Sequence, residues 1–252
     1  MLNYKIYGQG DPIVILHGLF GMLDNWQTIA KKLAEEYMVI LVDQRDHGKS
    51  KHTDGFDYPI LAEDLRLFLE ENWIHHCHII GHSMGGKTAM QFSTMYPEMI
   101  EKMVIVDIGP KAYKPNHDLI FKALLAVPID EVQSRQEVEN ILSDYIEDYG
   151  VRLFLMKNLQ RKKEGGFRWK MNLKLLNKEY DNIIAAIDTT DTIDVESLFI
   201  YGSKSKYILP EEIDDIQAIF TNSRFVEMDT GHWVHAEKPD ELVDAVMNFL
   251  VE

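Results

Sequence analysis

The chain has 252 residues, enough to bury a sizeable core as one α/β domain with an excursion or as two small domains. Hydrophobic residues make up 46% and charged residues 27%, which excludes a disordered composition. A net charge of −15, from 26 basic and 41 acidic residues, argues against nucleic acid and anionic membrane surfaces as partners.

Met1 to Gly8 lacks the apolar segment of a secretory signal and reads as a short strand entering a turn. No run approaches the roughly 20 apolar residues of a membrane helix, so a cytoplasmic protein is expected. Pro12 to Leu16 is a continuous apolar run, the mark of a strand buried on both faces. A helix is expected from Trp26 to Glu36, a strand from Met38 to Val42, and a helix from Ile60 to Glu71 with Leu61, Leu65, Phe68 and Leu69 at helical spacing. His78 to Ile80 leads as a strand into Gly81, Gly85 to Met95 reads as helix, and Met103 to Asp107 as another strand. Repeated βα units of this kind predict a mostly parallel sheet with helices on both faces.

The single cysteine, Cys77, can form no intramolecular disulfide and suits a reducing compartment. It stands among His75, His76 and His78, but strand alternation would send neighbours to opposite faces and no second ligand cluster follows. No metal and no cofactor is expected.

From Lys111 to Val195 the chain reads mainly as helix, with Leu119–Leu125, Val138–Tyr149 and Val151–Leu159 as segments and a hairpin over Gln160–Lys170 turning at Gly165-Gly166. Strands resume at Leu198–Tyr201 and Arg224–Met228, and a helix from Asp240 to Leu250 closes the chain. The expected organisation is a core of residues 1–110 and 196–252 with a helical cap, 111–195, inserted between strands.

Gly81-His82-Ser83-Met84-Gly85-Gly86 fits G-x-S-x-G directly after a strand and directly before a helix. A nucleophile in that position needs a strained turn, and the glycines remove side chains that would clash in it. The alternative is a packing turn with Ser83 as helix cap. His17-Gly18-Leu19-Phe20-Gly21, after the first buried strand, offers a backbone N–H at Leu19 or Phe20 that would complete an oxyanion hole with that of Met84. His17 reads as a hydrogen-bonding support for this loop. The base is placed at His232, in the loop Asp229–Trp233 after the late strand, whereas His235 is read as a packed, hydrogen-bonded histidine.

Together with Val106–Pro110 and Gly231–Pro239, these segments resemble the α/β-hydrolase superfamily, and more narrowly a small bacterial esterase and acyl-CoA thioesterase branch with mitochondrial relatives. The order of nucleophile before histidine is the one found in that superfamily. Asp43–Ser50 resembles its D-x-R-G-H-G-x-S loop, with Asp46 where glycine is usual. Most members carry the triad acid after the strand here read as Leu198–Tyr201, yet Gly202–Tyr207 contains no carboxylate and Glu211 lies beyond Pro210. Asp107, at the preceding strand end, can reach the same histidine, and the resembled esterase branch uses that strand end.

A serine nucleophile disfavours haloalkane dehalogenase and epoxide hydrolase chemistry and leaves carboxylic esters or acyl thioesters as small-molecule substrates. C–C bond hydrolysis, perhydrolysis and a non-catalytic binding role are the alternatives. Phe20 and Trp233, with Phe121 and Phe154 of the cap, are expected to contact the substrate, although apolar cap residues also pack on one another. Arg161, Lys162, Lys163, Arg168 and Lys170 form a basic cluster suited to acyl-CoA phosphates or to a solvated loop face. A monomer or small homo-oligomer is expected.

Overall fold

The computed structural model of the protein describes residues 2–187, 189 and 191–252. Strands β1 (Asn3–Tyr7), β2 (Pro12–Leu16) and β3 (Met38–Asp43) are followed by β4 (Cys77–His82) and β5 (Ile100–Val106). The interposed helices are α1 (Gln27–Leu33), α2 (Tyr58–Glu71) and α3 (Met84–Met95). The excursion after β5 holds α4 (Asp118–Ala126), α5 (Arg135–Ser143) and α6 (Tyr149–Met156), the hairpin β6 (Leu159–Arg161) and β7 (Phe167–Trp169), then α7 (Leu173–Lys178) and α8 (Tyr180–Ile184). The chain ends through β8 (Ser197–Gly202), α9 (Ile213–Ile219), β9 (Ser223–Met228), α10 (Val234–Glu237) and α11 (Pro239–Val251). Seven strands form one sheet in the order β1-β3-β2-β4-β5-β8-β9. Only β1 pairs antiparallel, with β3; the other pairs are parallel.

The apolar runs make sense in this sheet because alternate residues feed opposite layers. Ile13, Ile15, Val39, Leu41, Ile80 and Val104 pack with α1 and α11 residues such as Leu33, Leu242 and Val246. Val14, Leu16, Ile40, Val42, Ile79 and Ile105 pack with Leu61, Leu65 and Phe68 of α2 and with Met90 of α3. That second cluster continues into the excursion through Phe121, Leu124, Leu155 and Leu176, so the excursion shares the core of one sheet face.

Element boundaries shift where capping chemistry intervenes. The helix expected from Trp26 is a 3-10 turn over Leu23–Trp26 followed by α1, which stops at Leu33. The helix expected over Val138–Tyr149 ends at Ser143, and a new one starts where the Asp148 side chain accepts the Val151 N–H at 3.0 Å. The hairpin turns at the expected glycine pair, Gly165 and Gly166, both at positive φ. Helices α7, α8 and α9 had no expected counterpart as separate elements.

Two buried polar residues tie the excursion to the sheet. Lys87 of α3 donates from Nζ to the Lys111 carbonyl at 2.7 Å and to the Ala185 carbonyl, one on each leg. Burial pulls its pKa down to about 7, with the nearby Lys111 charge acting in the same direction. Asp46 keeps the left-handed backbone that glycine would favour there, with φ 62°. Its carboxylate accepts from the Thr53 N–H at 2.7 Å and from Asn172 Nδ2 at 2.8 Å, and its carbonyl accepts the Asn172 N–H at 2.8 Å. The side chain that replaces glycine is thus what fastens α7 to the loop after β3. Among the described residues, no helix is long and apolar enough to cross a membrane.

Candidate active site

Ser83 occupies the single residue between β4 and α3, with φ 53° and ψ −119°. A non-glycine residue held there costs about 1–3 kcal/mol, and the surroundings must fix it. Its N–H donates to the Val106 carbonyl at 3.1 Å, and its carbonyl accepts the Lys87 N–H at 3.0 Å, the first bond of α3. The turn closes so tightly that a Cβ at Gly81 would lie 2.4 Å from the Gly85 carbonyl oxygen. At Gly85 a Cβ would lie 2.3 Å from the Leu16 carbonyl oxygen. Glycine is required at both places for steric reasons.

Asp107 sits one residue past β5, also at positive φ (52°), and its side chain is fully buried. Three donors meet its carboxylate. The Gly202 N–H reaches Oδ1 at 2.9 Å, Ser205 Oγ reaches Oδ2 at 2.5 Å, and His232 Nδ1 reaches Oδ2 at 2.6 Å. A carboxylate taken out of water needs such partners. Because it can only accept here, Nδ1 of His232 carries the proton, leaving Nε2 as the acceptor. The loop Gly202–Tyr207, which lacks a carboxylate, therefore contributes donors to one supplied by its neighbour.

His232 is held from two further sides. Its carbonyl accepts from His82 Nε2 at 2.9 Å, and its ring stacks on Tyr207 with centroids 4.0 Å apart. His82, Ser205 and Tyr207 were not singled out from the sequence. The signal available was the hydroxyl of Ser205 in a loop whose expected acid was missing. His235 packs as expected, stacked on Trp26 at 4.5 Å, but its buried Nδ1 has no hydrogen-bond partner among the described residues, contrary to the hydrogen-bonded role expected of it. Burial pushes His235 down to about 3 and, together with the nearby His232 and His235, pushes His82 well below the usual histidine range.

The loop after β2 is fixed by side chains on all sides. His17 donates from Nδ1 to the Gly18 carbonyl at 2.8 Å and accepts the Gln44 N–H at Nε2, 3.0 Å away. Asn158 of the excursion donates to the Phe20 carbonyl at 2.7 Å. Burial keeps His17 neutral, with its pKa down to about 4, which suits these one-donor, one-acceptor contacts. The Phe20 N–H, one of the expected oxyanion donors, is directed at His47 Nε2 at 3.3 Å. It is therefore occupied. The Leu19 and Met84 N–H groups have no such partner among the described residues.

Ser83 and His232 open onto one cavity of about 650 Å3. Phe20, Phe154 and Trp233 line it, and the Phe154 and Trp233 rings lie 5.5 Å apart. Phe121 does not line it. It is buried behind Phe20, edge to face at 5.1 Å, because α4 turns it toward Tyr180 and the common core. None of Arg161, Lys162, Lys163, Arg168 and Lys170 lines the cavity either, and Lys162 is paired with Asp130 at 2.7 Å.

Comparison with known proteins agrees with this architecture. Residues 11–144 match the family model described as alpha/beta hydrolase fold. The chain is 37% identical over 241 residues to the esterase YbfF of Escherichia coli (strain K12), covering 95% of this chain and 92% of that protein. It is 34% identical over 247 residues to the sn-1-specific diacylglycerol lipase ABHD11 of Mus musculus, covering 94% and 80%. A solved structure described as a marine microorganism esterase superposes with a TM-score of 0.96 at 38% identity over 98% of each chain. The chain belongs to the α/β-hydrolase fold family.

Proposed function

We propose that the protein is a serine hydrolase that cleaves carboxylic esters or acyl thioesters through Ser83, His232 and Asp107. The observation that carries this reading is the 2.6 Å contact from His232 Nδ1 to the buried Asp107, on a histidine that shares its cavity with the strained Ser83. Ser83 Oγ adds to the carbonyl carbon while its proton passes to His232 Nε2. The leaving alcohol or thiol takes that proton as its bond to the carbonyl breaks, leaving an acyl ester on Ser83. Water then repeats the step in reverse, giving its proton to His232 and freeing Ser83. Leu19 and Met84 N–H groups hold the oxyanion in both steps. Residues 111–195 serve as a cap, with Ile120, Val151 and Phe154 over the cavity. The names of the E. coli and mouse relatives support ester chemistry.

The purified protein is expected to turn over p-nitrophenyl acetate, and Ser83→Ala is expected to lower kcat by at least about 10⁴-fold. Absence of turnover in the parent, or its persistence in folded Ser83→Ala, overturns the reading.

A further inference from the structure

Two cavities meet at Ser83, and they differ greatly in size. The larger, about 650 Å3, is the one lined by His232, Phe154 and Trp233. The smaller, about 30 Å3, is walled by Met84, Lys87, Ile108, Tyr113 and Ile184, and His232 does not border it. Leu19 lines both, so the oxyanion position lies where they join.

This arrangement sorts the two halves of an ester. We propose that the small cavity receives the acyl group and the large one the leaving alcohol, so the preferred substrates are short-chain acyl esters of bulky apolar alcohols. The proposal rests on the hydrolase reading above. The tetrahedral carbon carries Ser83 Oγ, the oxyanion, the acyl chain and the leaving oxygen. The leaving oxygen must collect a proton from His232, so it lies on the side the imidazole faces. That side is the large cavity. The acyl chain is left with the small one, whose volume admits roughly two water-sized groups.

The walls of the small cavity resist widening. Tyr58 and Ile108 are buried in the common core, and Tyr58 donates its hydroxyl to the Ile183 carbonyl at 2.5 Å. Lys87 is held by carbonyls on both legs of the excursion. An acyl chain beyond about three carbons meets packed side chains rather than space. The large cavity, by contrast, offers the exposed Leu153 and the aromatic pair Phe154 and Trp233 to an apolar alcohol.

The test is a matrix of kcat/KM values: p-nitrophenyl acetate, butyrate and octanoate on one axis, and ethyl, hexyl and decyl acetate on the other. The expected result is a fall of at least about 10-fold from acetyl to butyryl and a further fall to octanoyl. Lengthening the alcohol raises kcat/KM several-fold. Ile184→Ala widens the small cavity and is expected to raise butyrate relative to acetate. Leu153→Trp narrows the large one and is expected to lower decyl relative to ethyl acetate, with the acyl order retained. If octanoate is the best acyl group, or Ile184→Ala changes alcohol rather than acyl preference, the assignment is overturned while the hydrolase reading stands. Loss of turnover on every ester overturns both.

Discussion

Asp107→Asn is expected to lower kcat on p-nitrophenyl acetate by about 10⁴-fold and to leave KM near its parent value. An asparagine of the same shape presents an amide N–H where the carboxylate accepted from His232 Nδ1 and Ser205 Oγ. The imidazole then accepts at Nδ1 and carries its proton on Nε2, a donor where the proposed mechanism needs a base. The fold supplies a graded comparison. Ser205→Ala removes one donor to the same oxygen and leaves the His232 contact, so a fall of about 10- to 100-fold is expected. Steady-state kinetics on both variants, with circular dichroism as a folding control, checks the pair. Near-parental activity in Asp107→Asn would move the acid elsewhere, with Glu211 as the nearest alternative downstream in sequence.

Acidification below about pH 6.5 is expected to unfold the protein within about two pH units. Burial pulls His17 and His117 down to about 4, His47 and His235 to about 3, and His82 well below its ordinary value. In the unfolded chain each titrates near pH 6.5. Below that pH the unfolded state takes up protons that the folded state refuses, so the histidines' contribution to stability is full above about pH 6.5 and is lost as pH falls toward the folded values. Each histidine contributes about 1.4 kcal/mol per pH unit across that window, against a total stability of about 5–15 kcal/mol. Together they dominate. Thermal midpoints should fall gently from about pH 8 to pH 7, where buried Lys87 resists a proton that the unfolded chain already carries, and steeply below about pH 6.5; a profile that stays level from pH 6.5 to pH 4.5 would contradict the buried neutral histidines. His235→Phe, at a ring whose Nδ1 has no partner to orphan among the described residues, should flatten the slope by about 1.4 kcal/mol per pH unit.

Much of the candidate site was legible because its parts are local. The strand, turn and helix around Ser83 announce themselves through Gly81 and Gly85, whose missing side chains leave room for the Gly85 and Leu16 carbonyls. Apolar runs such as Pro12–Leu16 mark parallel strands because both faces are covered. Asp107 required reasoning from the empty Gly202–Tyr207 loop and from the resemblance to an esterase branch. The donors Ser205 and His82 and the stacked Tyr207 were not legible, since their roles depend on which way side chains point across loops distant in sequence. Phe121 and Phe20 show the same boundary. The sequence offers Phe121 only as an aromatic of the excursion, and the fold decides that it supports Phe20 rather than the cavity. Likewise the sequence offers the Phe20 N–H as an oxyanion donor, and His47, distant in sequence, occupies it in the fold. The excursion was read least well, because α7 and α8 are short and lack side-chain caps, leaving little periodic signal.

The most direct test of the central assignment is labelling with a fluorophosphonate, followed by peptide mapping of the adduct. A single covalent phosphonyl ester on Ser83 is expected, formed rapidly in the parent protein and orders of magnitude more slowly in His232→Ala. An unlabelled, folded parent protein, or an adduct on any residue other than Ser83, would contradict it.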